Sequence, residues 1–179
     1  DINIMLEHIR PEELPSARIN LFVPNPEWCL PSDVSALPDV DGVLVKTRHA
    51  ASIFRSLGAS PAQIGFTSED RYDPSIPRKR GFFHLAGRSS NKGTASLVEL
   101  WRRHPEWPLL TIVQSRLTAG EPISGVDNIR HLVDYLGDEE LRRLQNANRF
   151  HLCPSDTEGF GHYLVEAMSV AAVVITTDA

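Results

Sequence analysis

Arg149–Thr177 reads RFHLCPSDTEGFGHYLVEAMSVAAVVITT. Arg149–Cys153 is a short apolar run of strand character, and Val173–Thr177 is another. Between them lie a polar loop with two glycines, Pro154–Gly161, and a helical stretch, Gly161–Ala171. A strand, a loop, a helix and a second strand in direct succession form the unit from which parallel sheets are built. The same alternation extends backwards along the chain. Phe82–Ala86 (FFHLA), Leu109–Val113 (LLTIV) and Ile129–Val133 (IRHLV) are predicted strands. Helices are predicted from about Thr94 to His104, with an apolar stripe of Ala95, Leu97, Val98 and Trp101, and over Asp138–Asn148, which opens with acidic residues that favour a helix N-terminus. The fold class is therefore α/β, with Rossmann-like parallel sheets.

Further upstream, Ile2–Leu6, Ile19–Val23, Gly42–Lys46 and Gln63–Thr67 read as buried strands, and Arg48–Leu57 as a helix stopped by Gly58. Ser68–Arg80 carries charges and two prolines without apolar periodicity, which makes it a linker. Two domains follow: residues 1–80 and residues 81–179. The chain opens directly on a strand without Met, and after the last strand only Asp178 and Ala179 remain. It reads as incomplete at both ends.

Composition narrows the function classes. Of 179 residues, 41% are hydrophobic and 23% charged, as in a globular protein with a buried core. The net charge is −5 with both signs interspersed, which argues against a nucleic-acid partner. No apolar run approaches the roughly 18 residues of a membrane span. The two cysteines, Cys29 and Cys153, have no metal-ligand spacing and suit a reducing compartment. A cytoplasmic protein is the simplest expectation.

In parallel sheets, ligands bind beyond the carboxyl ends of the strands. Two loops there carry chemistry. Gly87–Gly93 (GRSSNKG) offers Arg88, Lys92 and two hydroxyls just before a helix, where backbone amides and the helix dipole favour an anion. It lacks the spacing of a Walker A loop, and no Gly-x-Gly-x-x-Gly follows a strand, so a dinucleotide-binding enzyme is a weak reading. Pro154–Gly161 places Glu158, Gly159, Phe160 and Gly161 before the next helix. On that helix, at about 100° per residue, His162, Glu166 and Ser169 share a polar stripe while Leu164, Val165 and Met168 face the core.

Glu158–Glu166 (EGFGHYLVE) resembles the Glu-x7-Glu motif of retaining glycosyltransferases of the GT-B type, particularly glycosyltransferase family 4 (glycosyl transferases group 1). Gly87-Arg88 with Lys92-Gly93 is similar to that family's donor-phosphate loop. Glu166-Ala167-Met168-Ser169, followed by Val173–Thr177, is similar to the stretch after its motif. The resemblance covers residues 81–179 well and residues 1–80 less diagnostically. It implies a two-domain GT-B arrangement: a partial acceptor-side domain, then a donor domain. It implies sugar transfer from a nucleoside diphosphate sugar to a saccharide or other small acceptor, with retention of configuration and no cofactor or metal; peripheral attachment to a membrane surface is compatible with it. Glu158 would be the catalytic residue, holding sugar hydroxyls. Arg88 and Lys92 would neutralise the diphosphate, Gly159, Phe160 and Gly161 would present amides, and Glu166 would bind the ribose. The alternative is a truncated, non-catalytic nucleotide-sugar-binding module.

Some features carry no such role. Asp39-Val40-Asp41 precedes a strand and reads as a polar turn, not a metal motif. His84, His131 and His151 fall in predicted strands, as core or interface residues, and His8 and His49 belong to no motif. Pro24–Trp28 reads as a turn held by Trp28, or as a loop lining a cleft. Where the family has a Gly-x-Pro turn before its last strand, this chain has Ala171-Ala172-Val173; positive φ there would strain the alanine.

Overall fold

The computed structural model describes residues 1–178 and divides into two compact units. One comprises Asp1–Thr67 together with Glu158–Gly161; the other comprises Ser68–Thr157 and the chain from His162 onward.

The first unit is a four-stranded parallel sheet with helices on it. Its elements are β1 (Ile2–Leu6), β2 (Ile19–Val23), α1 (Pro31–Ala36), β3 (Gly42–Val45), α2 (Arg48–Ser56) and β4 (Ala62–Gln63), with the strands side by side in chain order. The Thr47 hydroxyl starts α2 by accepting from the Ala50 amide at 3.0 Å. The helix then buries Ala50, Ala51 and Phe54, and the Phe54 ring meets Phe22 edge-on at 6.2 Å.

Three expectations change here. The strand at 63–67 shrinks to Ala62–Gln63, because only Leu44 and Val45 offer it partners. β1 is an edge strand and not a buried one: Met5 enters the core, but Ile2, Ile4 and Leu6 are exposed. Trp28 does not anchor its turn, since it is 54% exposed; the Trp28 amide instead closes the turn on the Asn25 carbonyl at 3.0 Å. Asp41 does serve as a turn residue, clasping Asn20 through both its amide and its carboxylate. His8 supports the fold: its ring lies 3.0 Å from the buried Asp33 carboxylate, which also accepts from the Ile9 and Leu30 amides.

The second unit holds β5 (Lys79–Gly87), α3 (Thr94–Arg103), β6 (Leu110–Gln114), α4 (Arg116–Ala119), β7 (Ile129–Val133), α5 (Asp138–Ala147), β8 (Asn148–Cys153), α6 (His162–Ser169) and β9 (Val173–Thr176). Its parallel sheet has the order β7-β6-β5-β8-β9. All five residues of β6 are buried, as the continuous apolar run Leu109–Val113 predicts for a strand covered on both faces. One core layer joins Leu97, Val98 and Trp101 of α3 to Leu110, Ile112 and Leu152; a second joins Phe83 and Val113 to Leu144 of α5. Cys153 is buried and Cys29 half-buried, and the two are not joined in a disulfide; burial pushes the Cys29 thiol up, and the Asp33 carboxylate adds to that. Among the described residues no helix is long and apolar enough to cross a membrane.

The segment before β5 has no helix or strand, as its composition predicts, yet it is not a free tether. Arg71 is 5% exposed and reaches Gln145 and Asp138. Its carbonyl accepts from Arg142 at 3.0 Å and from Asn146 at 2.8 Å. A lone arginine among charges carries no periodic signal, so its burial is decided by the polar partners that α5 supplies.

The buried face of α6 also differs from the sequence reading. Tyr163, Ala167 and Val170 are buried, whereas Met168 is 66% exposed and Leu164 and Val165 are half-buried. The helix ends with the Ala172 amide on the Ala167 carbonyl at 3.1 Å and the Ala171 amide on Met168 at 2.9 Å, a Schellman closure. Ala171 has φ 52°, so the strain expected of alanine in this turn is present. Arg78 donates to the Ala171 carbonyl at 2.8 Å and also to that of Val170, placing a cation at the negative helix end. Ala171→Gly is expected to stabilise the protein by about 1 kcal/mol, read as a raised denaturation midpoint at unchanged slope. An unchanged or lower midpoint would contradict the left-handed assignment.

Candidate functional site

The strand order places a topological switch point in the second unit. From β5 the chain moves to β6 and β7 on one side, then returns to put β8 and β9 on the other. The loops leaving β5 and β8 are therefore neighbours at the carboxyl edge, where open α/β sheets bind ligands. β5 carries a register irregularity between Leu85 and Gly87, just where it enters its loop.

The two loops touch directly. The Asp156 amide donates to the Asn91 carbonyl at 3.1 Å. Gly93, at φ 66°, is the N-cap of α3, and a Cβ there would lie 2.5 Å from the Pro154 carbonyl oxygen. Only glycine meets both demands. Lys92 extends across this junction, its Nζ 3.4 Å from the centroid of the Tyr163 ring, while the Tyr163 and Ser155 hydroxyls bond to each other. A cation on an aromatic face is worth about 0.5–2 kcal/mol, enough to hold the Lys92 charge at this edge. Arg88 is exposed on the same loop. The N-termini of α3 and α6 both open here, adding backbone donors and positive dipole ends.

Behind the loops lies His84, fully buried. Its Nδ1 is 2.8 Å from the Leu152 carbonyl, so that nitrogen carries the proton; Nε2, 2.8 Å from the Thr94 hydroxyl, then accepts. His84 thus joins β5, the end of β8 and the first residue of α3. Burial drives its pKa down to about 4, and the nearby Lys92 charge adds to this against the opposing Leu152 hydrogen bond. The imidazole is neutral at neutral pH.

Glu166 is half-buried, one turn into α6, and its Oε2 accepts from Gln145 Nε2 at 2.9 Å. Arg88, Lys92 and Glu166 thus belong to the second unit, whereas Glu158, Gly159, Phe160 and Gly161 group with the first. Within the first unit the Phe160 ring meets Phe66 edge-on at 4.8 Å. A Cβ on Gly159 would fall 2.6 Å from Asn25 Oδ1 and 2.6 Å from Glu27 Oε1, a close approach that glycine allows.

A cavity of about 370 Å³ adjoins the first turns of α3 in the second unit, lined by Thr94, Glu99, Arg102, Gln114, Thr118 and His131 among others. Two of its polar side chains pair with each other: His131 Nε2 lies 3.1 Å from Gln114 Oε1, and Nδ1 accepts from the Ile123 amide at 3.2 Å.

Tyr163, Ser155, His84, Gln145 and Arg71 were not legible as site residues. Gln145 left a trace: it falls one turn from Leu141 and beside Leu144 on the inward side of α5. A carboxamide on an apolar helix stripe must find a polar partner inside the fold.

These features define a class: two Rossmann-like parallel sheets, as in the GT-B fold of glycosyltransferases, one with a cation-lined switch point. Among solved structures, the chain is similar to the pneumococcal O-GlcNAc transferase GtfA in complex with UDP and GlcNAc, at 15% identity and TM-score 0.72, over 100% of this chain and 42% of that one. It is also similar to a trehalose-6-phosphate synthase studied for glycosyl transfer with retention, at 13% identity and TM-score 0.65, covering 98% and 58%. A third is WaaG, a glycosyltransferase of lipopolysaccharide biosynthesis, at 16% identity and TM-score 0.56, covering 75% and 43%. The chain thus spans about half the length of these structures. No family model and no curated sequence matches it.

Proposed function

We propose that this chain handles the donor in a glycosyltransferase that moves a sugar from a nucleoside diphosphate sugar to a saccharide or other small acceptor. The second unit is the donor domain, and the first is part of the acceptor-side domain. The observation that carries the reading is the convergence of two helix N-termini and the Lys92 ammonium at the β5/β8 switch point. That edge is built for a diphosphate.

In this reading the bond from the anomeric carbon to the diphosphate oxygen breaks, leaving negative charge on the phosphate, while an acceptor hydroxyl oxygen bonds that carbon and gives up its proton to the departing phosphate. Lys92 and Arg88 offset that charge as it grows, and the amides of Gly159, Phe160 and Gly161 add donors. Glu158 holds hydroxyls of the transferred sugar, and Glu166 accepts from the ribose. Retention, the course named for the trehalose-6-phosphate synthase, is assigned by analogy of fold; the anomeric signal of the product by NMR decides it. Reduced cysteines at positions 29 and 153 suit a cytoplasmic setting.

Calorimetric titration with a panel of nucleoside diphosphates and their sugars tests the site. Micromolar binding by one of them is the expected result, and binding by none would sink the reading. Glu166→Ala is expected to weaken that binding roughly 10- to 100-fold, the worth of a hydrogen bond to a charged group. Unchanged affinity would remove Glu166 from the ribose.

A further inference from the structure

We propose that Gln145 and Arg71 are positioning residues that hold the Glu166 carboxylate in one orientation and so make the site select ribose over 2′-deoxyribose; this rests on Glu166 being the ribose ligand. Gln145 is 1% exposed and Arg71 is 5% exposed. A guanidinium only donates, so the Arg71 Nε must meet the oxygen of the Gln145 carboxamide. That fixes which end of the amide is which. The nitrogen end then faces α6 and donates to Glu166 Oε2 at 2.9 Å. With the amide turned round, two donors would face each other at Arg71 and two acceptors at Glu166.

Arg71 is itself clamped. Its guanidinium donates to the Asp138 carboxylate at 2.8 Å and to Glu69 at 3.3 Å, and its carbonyl is held by Arg142 and Asn146. It reaches α6 by a second route as well. The Arg71 amide donates to Ser169 Oγ at 3.1 Å, and Ser169 Oγ donates to the Glu166 carbonyl at 2.8 Å. Side chain and backbone of Glu166 are thus both tied, through Gln145 and Ser169, to one arginine on a segment whose sequence reads as a linker. One carboxylate oxygen is occupied by the network, which aims the other at the ligand. A carboxylate so fixed accepts from ribose hydroxyls without first losing rotamer freedom.

The test measures affinities of the full chain for uridine, adenosine, guanosine and cytidine diphosphates beside their 2′-deoxy analogues. The wild type is expected to prefer the ribose form of whichever base it binds, and Glu166→Ala to abolish the preference. Gln145→Leu, which keeps the volume and loses both hydrogen bonds, is expected to cut the ribose preference by about tenfold while moving the 2′-deoxy affinity less than twofold. Gln145→Asn, too short to span both partners, should act in the same direction and carries the test if the leucine variant does not fold. A purely structural role would weaken both ligands equally. Equal weakening, or an intact ribose preference in both Gln145 variants beside its loss in Glu166→Ala, overturns the positioning role and leaves the donor site standing. A wild type that binds none of the nucleotides overturns the donor site, and the positioning role with it.

Discussion

Acidification from about pH 7 to pH 4 is expected to remove about 3 kcal/mol of stability for each of two buried histidines. His84 and His151 are both driven down from 6.5 to about 4, chiefly by burial, with the Lys92 charge adding at His84 and the Arg78 charge at His151. The unfolded chain therefore binds more protons between these limits. Stability is fully present above 6.5 and is lost as pH falls through about 4. At His84 the structural consequence is specific. Protonation makes Nε2 a donor, so the Thr94 hydroxyl must turn to accept from it, and it leaves a positive charge buried behind Lys92. Denaturant unfolding across this range checks the slope. His84→Gln, whose carboxamide can donate to Leu152 and accept from Thr94, should flatten part of it. A wild-type stability independent of pH over this interval would show that neither ring is held neutral.

Gly93→Ala is expected to cost roughly 2–5 kcal/mol and to abolish nucleotide binding. Two penalties combine. The backbone sits at φ 66°, where an L side chain is strained, and the new Cβ would stand 2.5 Å from the Pro154 carbonyl oxygen, a backbone atom. Relief requires the β5 and β8 loops to move apart, breaking the Asp156–Asn91 bond and the seat of Lys92 on Tyr163. Gly87→Ala supplies the control: φ is 57° there, and nothing lies within 4 Å of the added Cβ. It should show the conformational cost alone, about 1 kcal/mol, with binding retained. Equal melting temperatures and affinities for the two variants would mean that the loops are not in contact at Gly93.

Both experiments probe the junction of two loops that the sequence shows only as separate stretches. Gly87–Gly93 and Pro154–Gly161 are recognisable as strand-end loops because a short apolar run precedes each and a helical period follows. That they touch depends on β8 lying beside β5, a pairing between residues about seventy positions apart. No local spacing encodes it. The same limit explains α6. Periodicity gave the helix but not its buried face, because Leu164, Val165 and Met168 are as apolar as Tyr163, Ala167 and Val170. Which set turns inward was decided by what the sheet and Lys92 offered. The two-residue β4 and the exposed face of β1 follow from partners in the same way.

The sequence by itself determined the alternation of strand and helix, the parallel sheets and the strand-end loops, one carrying Arg88 and Lys92 and the other leading into the helix of Glu166. Side-chain period and turn residues are local properties, set within about ten positions of chain. The tertiary structure alone decided the strand order that makes a switch point, the pairing of His84 with the Leu152 carbonyl and the anchoring of Glu166 through Gln145 to Arg71. Each of these pairs groups far apart along the chain. A buried polar group must find its partner wherever the fold brings one.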